Sequence, residues 1–159
     1  MITRLIAGGQ TGVERAALDA AIEAGVNIGG WCPKTRKAED GVIPAIYPLT
    51  ETFVAEYDQR TEWNARDSDG TLVIAWGTII GGAYQTKSCC DYYHKPFLLV
   101  DLNEPNTNFD EIVDWIIDNN IRVLNVEGPR ESHCEGIYNK AKLFISELLR
   151  IPIDSLATA

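Results

Sequence analysis

The residues of this chain best suited to chemistry are those that grip an anion. Arg130 follows Pro129 in the run Gly128-Pro129-Arg130-Glu131-Ser132, where a guanidinium can clasp an oxyanion with a two-pronged fork. Ser132 can add a hydroxyl to the same group or cap the helix that follows, and Arg130 can instead pair with Glu131. Near the start, Gly8-Gly9-Gln10-Thr11-Gly12 offers Gln10 and Thr11 as neutral donors. Gly8 and Gly9 let the backbone approach a ligand with no Cβ in between. Gly81-Gly82 forms a second glycine pair, and Lys34 and Arg60 are further cations within reach of such a group. Each charge-assisted hydrogen bond contributes roughly 1.5–3 kcal/mol net, so three or four together support micromolar binding.

Catalytic chemistry is less clearly marked. Asp40, Glu62 and Asp69 could act as general bases or as polar pocket walls, and their spacing singles out none. His94 and His133 are the only histidines, and neither belongs to an HExxH or other metal-ligand spacing. His133-Cys134 could ligate a soft metal, although adjacent residues do so awkwardly. Cys32 stands near Lys34 and Arg36, which would lower a thiol pKa. Cys89 and Cys90 read as small apolar packing groups. Trp31, Trp63 and Trp76 read as core residues, one of which could offer a face to a flat ring.

These side chains need elements to position them. Leu5-Ile6-Ala7 is a compact apolar run suited to a strand covered on both faces. A helix follows from about Val13 to Ala24, with Gly25 as its stop. Thr11 is placed to cap that helix, leaving backbone N–H groups aimed into the glycine turn. Such a strand–turn–helix unit is a ready anion site, though the dipole alone supplies only about 0.3–1 kcal/mol. The turn matches neither the GxxxxGK[ST] phosphate loop nor the GxGxxG dinucleotide fingerprint.

Further on, Val26 to Gly30 reads as a short strand. Residues 31–49 form a long, aperiodic segment with Pro33, Pro44 and Pro48, and such segments are often functional. Thr52 to Asp67 is polar and partly helical. Thr71 to Trp76 is the clearest buried strand, followed by Gly81-Gly82 and a helix to about Tyr93. Phe97 to Val100 is a strand, and Asn108 caps a helix with Phe109, Ile112, Val113, Ile116 and Ile117 on one face. Val123 to Val126 is the last strand, and a helix spans about Gly136 to Leu149. This alternation predicts an α/β fold with a mainly parallel sheet and helices on both faces, in one domain over residues 1–159. Ligands of such folds sit beyond the carboxyl ends of the strands. That rule groups the turns Gly8–Gly12, Gly77–Gly82 and Gly128–Ser132 at one edge.

Composition narrows the partners. The chain has 159 residues, 45% of them hydrophobic, enough for a three-layer core. Its net charge of −9 argues against a nucleic-acid or anionic-membrane surface, so any anionic ligand needs a locally basic pocket. No apolar run is long enough for a spanning helix and the start carries no leader pattern, which points to the cytoplasm. The four cysteines are too sparse for a disulfide framework and are expected to be reduced.

Five stretches carry a resemblance: GGQTGVERAALDAA (Gly8–Ala21), GGWCPKTRKAEDG (Gly29–Gly41), IPAIYPLTET (Ile43–Thr52), QRTEWNARDSDGTLV (Gln59–Val73) and GPRES…GIY (Gly128–Tyr138). In wording and order they resemble the "putative molybdenum carrier" family, proteins similar to molybdenum-cofactor carriers. The resemblance implies a Rossmann-like α/β/α sheet related to the lysine-decarboxylase-like and "lonely guy" phosphoribohydrolase folds. It also implies a homo-oligomer, dimer or tetramer, that binds molybdenum cofactor, a phosphorylated molybdopterin, and passes it to molybdoenzymes or takes it from cofactor-synthesis proteins. On this reading Gly8, Gly9, Gln10, Thr11, Gly12, Lys34, Arg60, Gly81, Gly82, Arg130 and Ser132 hold the anion, with no metal site of the protein's own and no catalysis. The alternative is a nucleotide sensor or a nucleoside-monophosphate N-glycosidase working through Glu62 or Asp69. Two departures stand out. Ala83 replaces a threonine of the family loop, and the phosphoribohydrolase motif GGxGTxxE meets Tyr84, Gln85 and Ser88 at its Gly, Thr and Glu places.

Overall fold

The computed structural model describes residues 2–77, 81–104 and 109–153. Five strands form one parallel sheet: β1 (Arg4–Ile6), β2 (Asn27–Gly29), β7 (Gly70–Ala75), β8 (Phe97–Asp101) and β9 (Val123–Glu127), in the order β2-β1-β9-β7-β8. Between β2 and β7 lie the two-residue strands β3 (Trp31–Cys32), β4 (Lys37–Ala38), β5 (Gly41–Val42) and β6 (Thr50–Glu51). The helices are α1 (Val13–Glu23), α2 (Tyr57–Asp67), α3 (Gly81–Tyr92), α4 (Phe109–Asp118) and α5 (Ile137–Arg150). The expected α/β fold is present, and each predicted main element falls within a few residues of its place. Asn108 and Thr78 to Ile80, the proposed cap of α4 and the middle of the second glycine turn, lie outside the described residues.

Every residue of β7 is buried, as its apolar run requires of a strand covered on both faces. Helices α1, α4 and α5 cover one side of the sheet. Ala16, Ala17, Ala20 and Ala21 of α1 are buried, and their small size lets α5 approach through Ile137, Ala141 and Ile145. Phe109 of α4 stacks on Phe144 of α5, with ring centroids 5.0 Å apart. Helices α2 and α3 lie together and complete the other layer. The chain runs outward to β2 from β1 and outward to β8 from β7. The carboxyl ends of β1, β9 and β7 therefore flank the crevice where crossovers diverge, the usual ligand position in open α/β sheets.

The long segment after β2 is built rather than loose. Arg36 donates to four backbone carbonyls, those of Ile43 (3.0 Å), Leu49 (3.2 Å), Pro44 (2.9 Å) and Tyr47 (2.8 Å). One guanidinium thus satisfies carbonyls that an aperiodic segment would otherwise leave unpaired. The small ladders β3–β6 and β4–β5 add to this. At Gly30, φ is +124° and an added Cβ would lie 2.5 Å from the Ala7 carbonyl oxygen, so only glycine allows the segment to start against β1. Asn64 of α2 then fixes its direction by accepting the Trp31 N–H at 2.7 Å and donating to the Trp31 carbonyl at 3.0 Å.

Candidate functional site

Beyond the carboxyl ends of β7 and β9 lies a cavity of about 200 Å³. Gln10 and Glu14 reach it from the first turn after β1, and Tyr57 and Arg60 from α2. Gly82 and Thr86 belong to α3, and Glu127 and Arg130 to the end of β9 and the turn beyond. The predicted edge is therefore the one that carries a cavity, but the glycine turn works differently from expectation.

Helix α1 begins at Val13 with Gly12 in the N-cap position and no side-chain cap. Several N–H groups of the turn and of the helix start are already used. The Val13 N–H donates to the Pro129 carbonyl at 3.2 Å, the Thr11 N–H to Gln10 Oε1 at 3.0 Å, and the Gln10 N–H to Glu14 Oε2 at 2.9 Å. The anion held by this turn is thus the protein's own Glu14 carboxylate, which also takes a hydrogen bond from Arg60. Glu14 is 2% exposed and Arg60 7%. A Cβ on Gly8 would lie 2.0 Å from Arg60 Nη1, so Gly8 makes room for a guanidinium rather than for a ligand. Gly9 is likewise a packing position, where a Cβ would meet Leu49 at 2.6 Å, and Gly12 faces the Pro129 carbonyl at 2.4 Å.

A second internal carboxylate occupies the place expected for the hydroxyls. Thr11 Oγ1 and Ser132 Oγ both donate to Glu39, the Ser132 N–H joins them at 3.1 Å, and Thr11 Oγ1 accepts the Glu131 N–H at 3.2 Å. Burial is the largest single influence on the Glu39 carboxyl and pushes it up, but the bonds from Ser132 and Thr11 and the charge of Arg130 together outweigh it and hold the group below the usual carboxylate range. Glu131, the alternative partner for Arg130, accepts the N–H groups of Gly136 (2.5 Å) and Tyr138 (3.0 Å) at the start of α5.

That leaves Arg130 uncommitted. Its half-buried guanidinium lies over the Tyr57 ring at 5.0 Å and has no hydrogen bond or ion pair to a described residue. Arg60 lies 5.7 Å and Lys37 6.0 Å from the same ring, Arg60 being already paired with Glu14. The aromatic surface here is Tyr57 and none of the tryptophans. Trp31 and Trp63 pack edge to face at 4.7 Å, and Trp76 lies beneath Lys140 at 4.3 Å.

Glu127 lies in the cavity wall and is 5% exposed. Thr86 Oγ1 donates to its Oε2 at 2.7 Å and Asn125 Nδ2 to its Oε1 at 3.3 Å. Burial pushes its carboxyl above the ordinary range; Arg60 opposes this, while Glu14 adds to it. Arg60 is itself raised, because Glu14 and Glu127 outweigh the burial that would lower it. Gln10 is 5% exposed, and its Oε1 accepts the N–H groups of both Thr11 and Glu39 at 3.0 Å. Those two bonds fix the orientation of the amide. Its Nε2 is left buried without a partner among the described residues.

Other sequence candidates lie elsewhere. Lys34 is exposed in a single helical turn after β3 and does not line the cavity. Gly81 has open space around its Cα. Glu62 accepts the Tyr93 hydroxyl at 2.6 Å, outside the cavity wall. Asp69 sits at the amino edge, where its Oδ2 accepts the N–H groups of Arg122 (3.0 Å) and Val123 (2.7 Å). Asp40 pairs with Arg15 at 2.5 Å. Cys32 is fully buried and burial pushes its thiol up, overriding Arg36, so the alternative of an activated thiol is not met. Burial also raises Cys89, to about 11, and Cys134. Among the described residues no cluster of His, Cys, Asp and Glu is arranged to hold a metal ion, and no helix is long and apolar enough to cross a membrane.

Glu14, Tyr57, Thr86 and Glu127 were missed by the sequence reading. Glu127 had a signal: Asn125 and Glu127 alternate with apolar residues in a strand otherwise buried, putting two polar groups on one inner face.

The comparisons agree with this architecture. The chain superposes on the crystal structure of a "putative molybdenum carrier protein" from Syntrophus aciditrophicus SB with a TM-score of 0.85 and 40% identity, covering 94% of this chain and 95% of that one. No curated protein matches. A family description, the circularly permutated YpsA SLOG family, matches residues 5–149. With nearly its whole length matched and its cavity where the crossovers diverge, the chain belongs to the circularly permutated YpsA SLOG family.

Proposed function

We propose that this protein binds and carries a phosphorylated pterin of the molybdenum-cofactor type without transforming it. The observation that carries the reading is Arg130, a half-buried guanidinium over Tyr57 at the cavity mouth with no hydrogen bond or ion pair to a described residue. A phosphate there gains a two-pronged, charge-assisted contact, and the exposed Gly82 at the start of α3 adds backbone next to it. Pockets that enclose drug-sized ligands run to about 300–1,000 Å³. A cavity of about 200 Å³ takes one ring system and leaves the phosphate outside, against Arg130. The buried, unpartnered Gln10 Nε2 suits a ligand carbonyl. The name of the Syntrophus neighbour supports the same ligand class. Self-association, a cytoplasmic location and exchange of the ligand with molybdoenzymes or cofactor-synthesis proteins belong to this reading.

The test is mass spectrometry under non-denaturing conditions on protein from a host that makes molybdenum cofactor, followed by oxidation of released ligand and pterin fluorescence. A phosphorylated pterin, with or without molybdenum, is the expected result. Arg130→Ala should weaken binding about tenfold or more, since one charge-assisted contact is worth roughly 1.5–3 kcal/mol; unchanged affinity removes Arg130 from the site. A second reading, nucleotide binding or base release from nucleoside monophosphates, is favoured by Glu127, a cavity-wall carboxyl whose raised pKa suits proton donation. Bound nucleotide in place of pterin, with base release abolished by Glu127→Gln, would establish it instead.

A further inference from the structure

Three groups in the cavity wall have hydrogen-bonding capacity that the described residues do not use: Gln10, Glu127 and Arg60, whose Nε is buried without a partner. Gln10 cannot turn its amide round, because Oε1 already accepts two backbone N–H groups, so Nε2 presents donors and only donors. Glu127 takes one hydrogen bond on each carboxylate oxygen, from Thr86 and from Asn125. In the ionised form each such oxygen has room for two, so one acceptor position per oxygen is open to a donor pair, which would favour that form against the burial that opposes it. Arg60 does not fill them, since its hydrogen bond goes to Glu14. A buried donor and a buried carboxylate left this way cost stability unless a ligand meets them.

We propose that Glu127 and Gln10 read the edge of a fused 2-amino-4-oxo pyrimidine ring, the edge that pterins and guanine share. The ring N–H and the adjacent amino group donate to the two Glu127 oxygens as a parallel pair, and Gln10 Nε2 donates to the ring carbonyl. The ring enters the cavity first and the phosphate stays at Arg130. This rests on the carrier reading for the position of the phosphate and adds the chemistry that selects the ring. A carboxylate facing a ring carbonyl in place of the amino group is repelled, so the same pair excludes dioxo and 6-amino rings.

The experiment is fluorescence titration of the full chain with pterin and with lumazine, which differ only in a 2-amino against a 2-oxo group. Calorimetry with guanosine 5′-monophosphate, adenosine 5′-monophosphate and ribose 5-phosphate accompanies it. The wild type should prefer pterin to lumazine, or the guanine to the adenine nucleotide, by about tenfold or more. The first preference identifies a pterin and the second a guanine nucleotide as the source of the shared edge. Glu127→Gln should erase the preference. Gln10→Glu keeps the oxygen that anchors Thr11 and Glu39 but removes the donor, and should weaken pterin and lumazine alike by about tenfold. It keeps the test alive if Glu127→Gln does not fold. Equal binding of pterin and lumazine together with equal binding of the two nucleotides overturns the proposal, as does pterin affinity untouched by Gln10→Glu. Ribose 5-phosphate binding as tightly as both nucleotides overturns the ring reading while leaving the anion at Arg130. Free pterin selected over lumazine but unaided by a phosphate does the reverse.

Discussion

At the amino edge of the sheet, Asp69 accepts the N–H groups of Arg122 and Val123 and so ties the start of β9 to the start of β7. At the carboxyl edge of the same two strands, Glu127 is buried, pushed toward its protonated form, and only half satisfied by Thr86 and Asn125. Both are carboxyls at strand ends of one sheet. One spends its acceptors on backbone and its removal should cost folding alone. The other keeps acceptors spare at a cost to folding, which is what a binding surface requires. The difference separates a structural carboxylate from the one proposed to meet a ligand more sharply than residue type or burial does.

The largest effect that tests this comparison is at Glu14. Glu14→Ala strands the buried Arg60 without its partner, and urea denaturation should show a loss of about 3–5 kcal/mol. Asp69→Ala should cost less, about 1–3 kcal/mol for two unsatisfied N–H groups, and leave ligand affinity at the wild-type value. A drop in affinity without a drop in stability would break the assignment of the amino edge to structure.

The pH dependence comes next. Because the Glu127 carboxyl is raised in the folded state, its favourable contribution is complete below the unfolded value near about 4.3 and is lost as pH rises through the folded value. Glu127→Gln removes that loss. Melting curves should therefore show the variant level with wild type near about pH 4 and increasingly more stable than wild type toward about pH 8. A variant equally destabilised across the range would make Glu127 structural, like Asp69. The smallest effect belongs to Lys34, an exposed cation away from the cavity. Lys34→Ala should change stability by no more than about 0.5 kcal/mol and leave binding alone.

The fold was legible because its signals are local. The apolar run Leu72-Val73-Ile74-Ala75 after Gly70, and the spacing of Phe109, Ile112, Val113 and Ile116 on α4, each declare an element within a dozen residues. The edge that bears the cavity followed from the alternation of those elements. The use of the side chains did not follow, because it depends on pairs far apart in the chain. Thr11 and Gly8 read as parts of an anion cradle, yet the anions that fill it are Glu14, held by Arg60 from 46 positions away, and Glu39, which gathers Thr11 and Ser132. Arg36 read as a companion of Cys32, whereas its carbonyl partners are set by how residues 43–49 fold back. Local pattern reports which groups are charged; only closure of the fold decides which charges cancel.

The strand at the middle of the sheet, β9, is also the last of its strands in the chain. A nascent polypeptide leaving the ribosome therefore presents β1 and β7 with one ladder edge open until residue 127 has emerged, the kind of edge that invites pairing with another chain. Glu127, the turn that bears Arg130, and the Ser132 contact to Glu39 arrive in that same final stretch. The cavity wall is thereby completed only once β9 has joined the sheet, and a chain cut short before β9 lacks the middle strand together with Glu127 and Arg130.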